Sequence, residues 1–358
     1  MRIIARENLI IVGELHQDLI YETNFFQLLI EKVVNEIQNF IKYNPDDLKR
    51  IVLEKIIKKA ISDIPKKINA DCTLKRGGNG NNTAEYCVSL GIPTKLISVM
   101  GKNTDWMIHQ LNELGVNTDL IFKNDLLTPI STILKSELTT KIFIAQNLKK
   151  RMNFEGIKLD IDIFKDAKFI YITPITEKFK NFIKIGFKHD LFSILNIEAQ
   201  KISNFEQLEQ LIYEKVDIIF VNRDDANLIL NKKLSNIEID NYFKKFARIR
   251  VYTAGKEGSF LFTDSIDLSY PTIKLKVIKD RTGAGDCYAA GFITKLYESV
   301  KDKSSFLKLI KSQNLDQLKS VLSQCMEFAT YTALYKITTQ KIPTRKDIED
   351  FIKKIRSG

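Results

Sequence analysis

Five short apolar runs recur along the chain, and their recurrence constrains the fold more than any other feature. They are LIIVG at 9–13, KLISVMG at 95–101, KFIYIT at 168–173, VDIIFVN at 216–222 and IRVYTAG at 249–255. Each is apolar, rich in β-branched residues and closed by Gly, Asn or Thr, so each reads as a buried strand. Amphipathic segments lie between most of them. That alternation predicts an α/β chain: a mostly parallel sheet with helices on both faces and a ligand site beyond the carboxyl ends of the strands. With 358 residues, 44% of them hydrophobic, the chain can bury a full core. Its length suits one α/β core carrying an appended element.

Residues 24–68 break the rhythm. Phe26, Leu29, Ile30, Val33, Ile37 and Phe40 keep helical spacing, Asn44-Pro45-Asp46 marks a turn, and Leu48, Ile51, Val52, Ile56 and Ala60 repeat the pattern. The stretch reads as a helical hairpin packed on the core or on a partner subunit. The expected division is therefore a core of 1–23 and 72–358 with a helical insertion at 24–71. There is no internal repeat or low-complexity linker to split the chain further.

The formal net charge of +11 would suit a polyanion. The lysines, however, are spread among Ile and Asn, with no long run of like charge and no basic stretch interleaved with aromatics, so no nucleic-acid partner is expected. Cys72, Cys87, Cys287 and Cys325 lie far apart, with no metal-ligand spacing, which fits a reducing compartment. His16, His109 and His189 lack the neighbours of a metal site or a triad. The run at 9–12 is cut by Gly13 and Glu14 before a signal segment or a membrane span is complete. A soluble, cytoplasmic protein is expected, with no membrane partner.

Residues 280–291 read DRTGAGDCYAAG. Glycines let the backbone turn its N–H groups toward one point, and small residues let a ligand approach closely. If a helix begins here, its unpaired amides and positive dipole end face that same point, where an anion belongs. Asp286 then stands beside the anion, an electrostatically costly place for a carboxylate without a task. Accepting a proton from a hydroxyl that attacks phosphorus is such a task. A structural turn remains the alternative on spacing alone, because G-x-G pieces also end ordinary helices and strands.

The stretch Asp280 to Phe292 resembles the C-terminal signature of the ribokinase-like (PfkB) family of carbohydrate and nucleoside kinases. The resemblance extends along nearly the whole chain and in the family's order. IIVGELHQDLI at 10–20 looks like its first strand and substrate-reading aspartate, and RGGNGNNTAEYCVSLG at 76–91 is similar to its N-terminal GG signature. NELGVNTDLI at 112–121, VNRDDANLIL at 221–230 and VYTAGKEGSFLF at 251–262 resemble its later GV-x-T-D, N-x-x-E and T-x-G-x-x-G elements. The fold implied is a three-layer α/β/α sandwich with a small lid.

Carried over residue by residue, the resemblance implies Asp286 as catalytic base and the amides of Gly283, Ala284 and Gly285 as anion hole. Asp18, Gly78 and Asn82 match positions that hold substrate hydroxyls. Asn222, Thr253, Gly255 and Gly258 match the nucleotide side. Asp225 matches the acid that reaches Mg2+ through water, and Asp280 a position that in some members binds a monovalent cation such as K+. ATP and Mg2+ are the implied co-substrate and cofactor, and a sugar, sugar phosphate or nucleoside is the implied acceptor. Taken singly, Asp18 or Asn82 could cap a turn or a helix, Gly78 could serve as a bend, Thr253 to Gly258 could be a tight turn, and Asp225 a helix-start carboxylate.

The chain also departs from the family. Arg281 stands where a small residue is usual, and N-x-x-E appears as Asn222-Arg223-Asp224-Asp225, with a shorter acid. FSILNIEAQ at 192–200 keeps Asn196 of the D-x-N-x-R element but lacks its acid and its arginine, which argues against acidic-sugar kinases. Between Asp18 and Gly77, most members carry a small β-sheet lid that often mediates dimer contact, and here the stretch reads as helices. A homodimer belongs with these expectations. The main reading is an ATP-dependent kinase of an alcohol group; the alternative is a kinase-like fold that binds nucleotide or sugar as a regulatory module.

Overall fold

The computed structural model describes residues 9–43, 50–273, 278–311 and 314–357. In chain order the strands are β1 (Leu9–Gly13), β2 (His16–Glu22), β3 (Asp71–Gly77), β4 (Thr94–Lys102), β5 (Asn117–Leu127), β6 (Ile130–Lys135), β7 (Thr140–Ile144), β8 (Phe169–Thr173), β9 (Phe192–Ile197), β10 (Val216–Asn222), β11 (Ala247–Thr253), β12 (Ser259–Phe262) and β13 (Asp267–Tyr270). The helices are α1 (Phe25–Tyr43), α2 (Arg50–Ser62), α3 (Asn79–Ser89), α4 (Asp105–Glu113), α5 (Gln146–Arg151), α6 (Asn181–Lys188), α7 (Phe205–Leu211), α8 (Arg223–Leu230), α9 (Asn236–Phe243), α10 (Ala284–Ser299), α11 (Lys303–Lys311), α12 (Leu315–Thr339) and α13 (Arg345–Ser357). They fall into two units. The first takes in β1, residues 77–127 and the chain from 152 onward; the second takes residues 16–76 and 128–151.

A nine-stranded sheet in the order β13-β12-β11-β10-β9-β8-β1-β4-β5 forms the centre of the first unit. From β11 to β5 the pairs are parallel, and β12 and β13 close one edge antiparallel. Its strands are apolar on both faces because helices cover both. Leu9 and Ile11 of β1 join a core with residues of α3, α4, α10 and α12, whereas Ile10 and Val12 join one with residues of α6, α7, α8 and α9. The result is a three-layer α/β/α sandwich. Each fully buried Leu or Ile stabilises it by roughly 1.5–3 kcal/mol.

One close approach sets the position of α3. A Cβ on Gly13 would stand 2.6 Å from the Cα of Gly80, and one on Gly80 would stand 2.7 Å from the Cα of Gly13. Two glycines therefore let the first turn of α3 press against the end of β1. The Asn81 amide donates to the Glu14 carbonyl at 3.2 Å, and the Ser98 hydroxyl donates to the Gly13 carbonyl at 2.7 Å.

The second unit carries a four-stranded sheet in the order β3-β2-β6-β7, with β2 and β6 parallel and β6 and β7 antiparallel. It also carries α1 and α2. Helical spacing predicts both helices, and they are present, but the strands stand beside them where the sequence reads helices alone. The reason is physical: β3 is DCTLKRG, exposed at its first five positions, so it shows no apolar alternation. The predicted turn at Asn44-Pro45-Asp46 and Leu48 lies outside the described residues. Although α1 is amphipathic, none of its residues is buried, whereas α2 buries Ile56 and Ala60.

Candidate active site

The N-terminus of α10 is built from the glycine stretch. Gly283 caps the helix at φ 75°, a left-handed conformation that glycine adopts without a Cβ penalty. Asp280 fixes the approach, its side chain accepting from the Thr282 amide at 2.9 Å. Among the described residues, the amides of Gly283, Gly285 and Asp286 make no hydrogen bond within the protein. The Ala284 amide does: it donates to the Arg281 carbonyl at 3.1 Å. The anion cradle read from sequence at 283–285 is thus corrected. The tight turn that makes Gly283 left-handed uses up the Ala284 amide, and the Asp286 amide is open instead.

Asp286 lies in the first turn of α10 with its side chain buried. Asn82, on α3, donates to its carboxylate at 2.9 Å. Burial pushes the carboxyl up to about 7, with the charge of Glu198 adding to the rise and the amides of Asn82 and Asn79 holding it back. A carboxyl poised there suits general-base work near neutral pH.

Helix α3 presents two asparagines one turn apart. Gly78 caps it at φ 100°, Asn82 reaches Asp286, and Asn79 donates to Glu198 at 2.5 Å. Glu198 also accepts from Asn196 at 3.1 Å, and burial first, with Glu14 and Asp225 adding, raises its carboxyl despite Lys201. Glu14 is buried between Lys201, at 2.9 Å, and Lys178, at 3.4 Å. Sequence reasoning missed Asn79, Glu198, Glu14, Lys178 and Lys201. Asn79, Glu14 and Glu198 had a signal, since all three stand inside stretches already singled out. The lysines had none, because nothing local distinguishes them from the others.

The carboxyl ends of β10 and β11 bring the remaining residues of the first unit together. Asn222 and Thr253 are register partners, and Gly255 and Gly258 bracket a short 3-10 helix just beyond. A Cβ on Gly258, at φ 93°, would overlap the Tyr270 carbonyl. Tyr288 of α10 donates to Ser259 at 2.9 Å, tying this loop to the helix that carries Asp286. Asn222 caps α8, accepting from the Asp224 amide at 2.8 Å. Asp225 is half-buried, its carboxyl raised by burial and by Asp224 against the Ala199 amide. Asp18 belongs to the second unit. It lies on β2 itself, opposite Ser131, with its carboxylate 3.3 Å from the His16 Nε2, a proximity the sequence does not reveal.

Among the described residues no group of three or more His, Cys, Asp and Glu side chains converges to hold a metal ion. Mg2+ does not ask for one, since it usually takes one or two carboxylates together with substrate phosphates and water. Asp225 and Glu198 both have carboxyls raised chiefly by burial, and the charge of Asp225 adds to the rise at Glu198; two carboxylates are the number such an ion would need.

An α/β fold with an open helix N-terminus and a buried carboxylate in that helix's first turn has the parts a phosphotransferase needs. The chain belongs to the pfkB family of carbohydrate kinases, whose pattern its residues 51–342 match. It is similar to a nucleoside kinase of Methanocaldococcus jannaschii, 26% identical over 227 residues that cover 61% of this chain and 71% of that protein. It is likewise similar to 5-dehydro-2-deoxygluconokinase 2 of Bacillus cereus, 26% identical over 251 residues, or 63% of this chain and 74% of that one. Among solved structures, a ribokinase from Giardia lamblia shares the fold at a TM-score of 0.72 and 16% identity, covering 98% of this chain and 100% of that one. A fructokinase with bound ATP from Xylella fastidiosa does so at 0.73 and 13%, with the same coverage. The protein is therefore a phosphotransferase of the sugar and nucleoside kinase class.

Proposed function

We propose that the enzyme moves the γ-phosphoryl group of ATP to a hydroxymethyl oxygen of a sugar, sugar phosphate or nucleoside, with Asp286 as general base. The observation that carries this reading is the buried Asp286 carboxyl, held by Asn82 beside three open amides. Asp286 takes the hydroxyl proton as that oxygen attacks phosphorus. The bond from phosphorus to the bridging oxygen of ADP breaks, and the proton later leaves Asp286 for solvent. The amides of Gly283, Gly285 and Asp286, with the positive end of α10, stabilise the charge on the transferring group. Because Asp286 is within one turn of those amides, acceptor and phosphoryl group meet without further motion of the base.

The same proposal gives Gly78 and Asn82, and Asp18 on the second unit, the acceptor hydroxyls, and gives Asn222, Thr253, Gly255 and Gly258 the nucleotide. Asp225, with Glu198, would hold Mg2+ through water, and the ion would neutralise nucleotide phosphate charge. ADP release measured over a panel of pentoses, hexoses, their phosphates and nucleosides tests the reading. Acceptor-dependent release with a phosphorylated product is expected. Release that ignores every acceptor, or none at all, would overturn it.

A further inference from the structure

The segment that leads into the cradle is fastened to the last turn of α12. The amides of Lys279 and Asp280 both donate to the Ile337 carbonyl, at 3.0 and 3.4 Å. Gln340, the left-handed cap of α12 at φ 64°, places its side-chain amide on the carbonyls of Asp280 at 2.9 Å, Ile337 at 3.2 Å and Lys336 at 3.3 Å. Three carbonyl oxygens, those of Asp280, Ile337 and Lys336, thus converge on one side-chain amide at this corner. Hard oxygen donors gathered in this way attract a cation.

The chain brings its own. Lys336 reaches forward to the end of α12, and its ammonium donates to the Gln340 carbonyl at 3.3 Å. Its Cε lies 4.0 Å from the point where a Cβ on Gly283 would stand, so the charge is fixed beside the glycine turn. A second observation agrees: burial drives the Cys287 thiol up, and the charge of Lys336 is the first to oppose it, one residue past Asp286.

We propose that Lys336 is a positioning residue for phosphoryl transfer, a tethered ammonium that strengthens the anion cradle and makes a free monovalent cation unnecessary. The inference rests on the kinase reading of this site. A positive charge near the amide end of α10 raises the potential felt by phosphate, and its bond to Gln340 holds the corner that carries residues 279–283. Because the charge is covalently part of α12, its presence does not depend on salt composition.

The test compares the full-length enzyme in tetramethylammonium chloride and in KCl at equal ionic strength, by turnover and by calorimetric ATP binding. Wild type should differ by less than about twofold between the salts, and Lys336→Ala should lose about 10- to 30-fold in turnover in tetramethylammonium. KCl should restore much of that loss, and Lys336→Arg should retain activity without it. Strong KCl stimulation of wild type would overturn the inference, and needs no variant to fold. An unchanged Lys336→Ala, or a loss in a folded Lys336→Ala that KCl leaves untouched, would overturn it too. Failure of the kinase reading is distinguishable, because wild type would then show no acceptor-dependent turnover in either salt.

Discussion

Burial holds the Asp286 carboxyl at about 7, far above its ordinary 3.8, and two consequences follow at this residue. As a base it works only when ionised, so kcat/KM should climb with pH and level off above about 7. A flat profile from about pH 5 to about pH 9 would remove Asp286 from that role. The same carboxyl binds its proton more tightly in the folded state than in the unfolded one. Its contribution to stability is fully present below 3.8, falls as pH rises, and is lost by about 7. Asp286→Asn, which cannot ionise, should therefore melt above wild type at about pH 8, with the gap closing toward about pH 4. A gap that widens toward acid would contradict the burial argument. Asp286 was legible because its chemistry is local: glycines, acid and helix start adjoin in sequence. Lys201 was not, since the Glu14 it pairs with lies 187 positions away.

Elements decide where such residues stand. The five apolar runs became β1, β4, β8, β10 and β11, which a strand buried on both faces announces by composition alone. β9 hid within FSILNIEAQ, and the second sheet hid almost wholly, because β2 finds its partner β6 more than a hundred residues downstream and β3 is mostly exposed. What holds Asn79 and Asn82 in place is the contact of α3 with β1 through Gly13 and Gly80. A methyl group there has no room. Gly80→Ala should cost about 1–3 kcal/mol in urea unfolding, and should lower turnover by shifting both asparagines. Wild-type stability in that variant would show that the close approach is not what seats α3.

At the scale of the whole molecule, a net charge of +11 is spread over a fold whose working part needs few cations. Many lysines are engaged in ion pairs, as with Lys303 on Asp217 at 3.0 Å and Lys201 on Glu14 at 2.9 Å. Among the described residues no helix is long and apolar enough to cross a membrane. Sheet, helices and glycine turn together place one ionisable group beside one open helix end, and the account depends on that pairing. It is tested most directly by following phosphate from labelled ATP into an acceptor in wild type and in Asp286→Asn. The account predicts that the variant still binds ATP with wild-type affinity while transfer falls by about 10²- to 10⁴-fold. Transfer at the wild-type rate in the variant would contradict it.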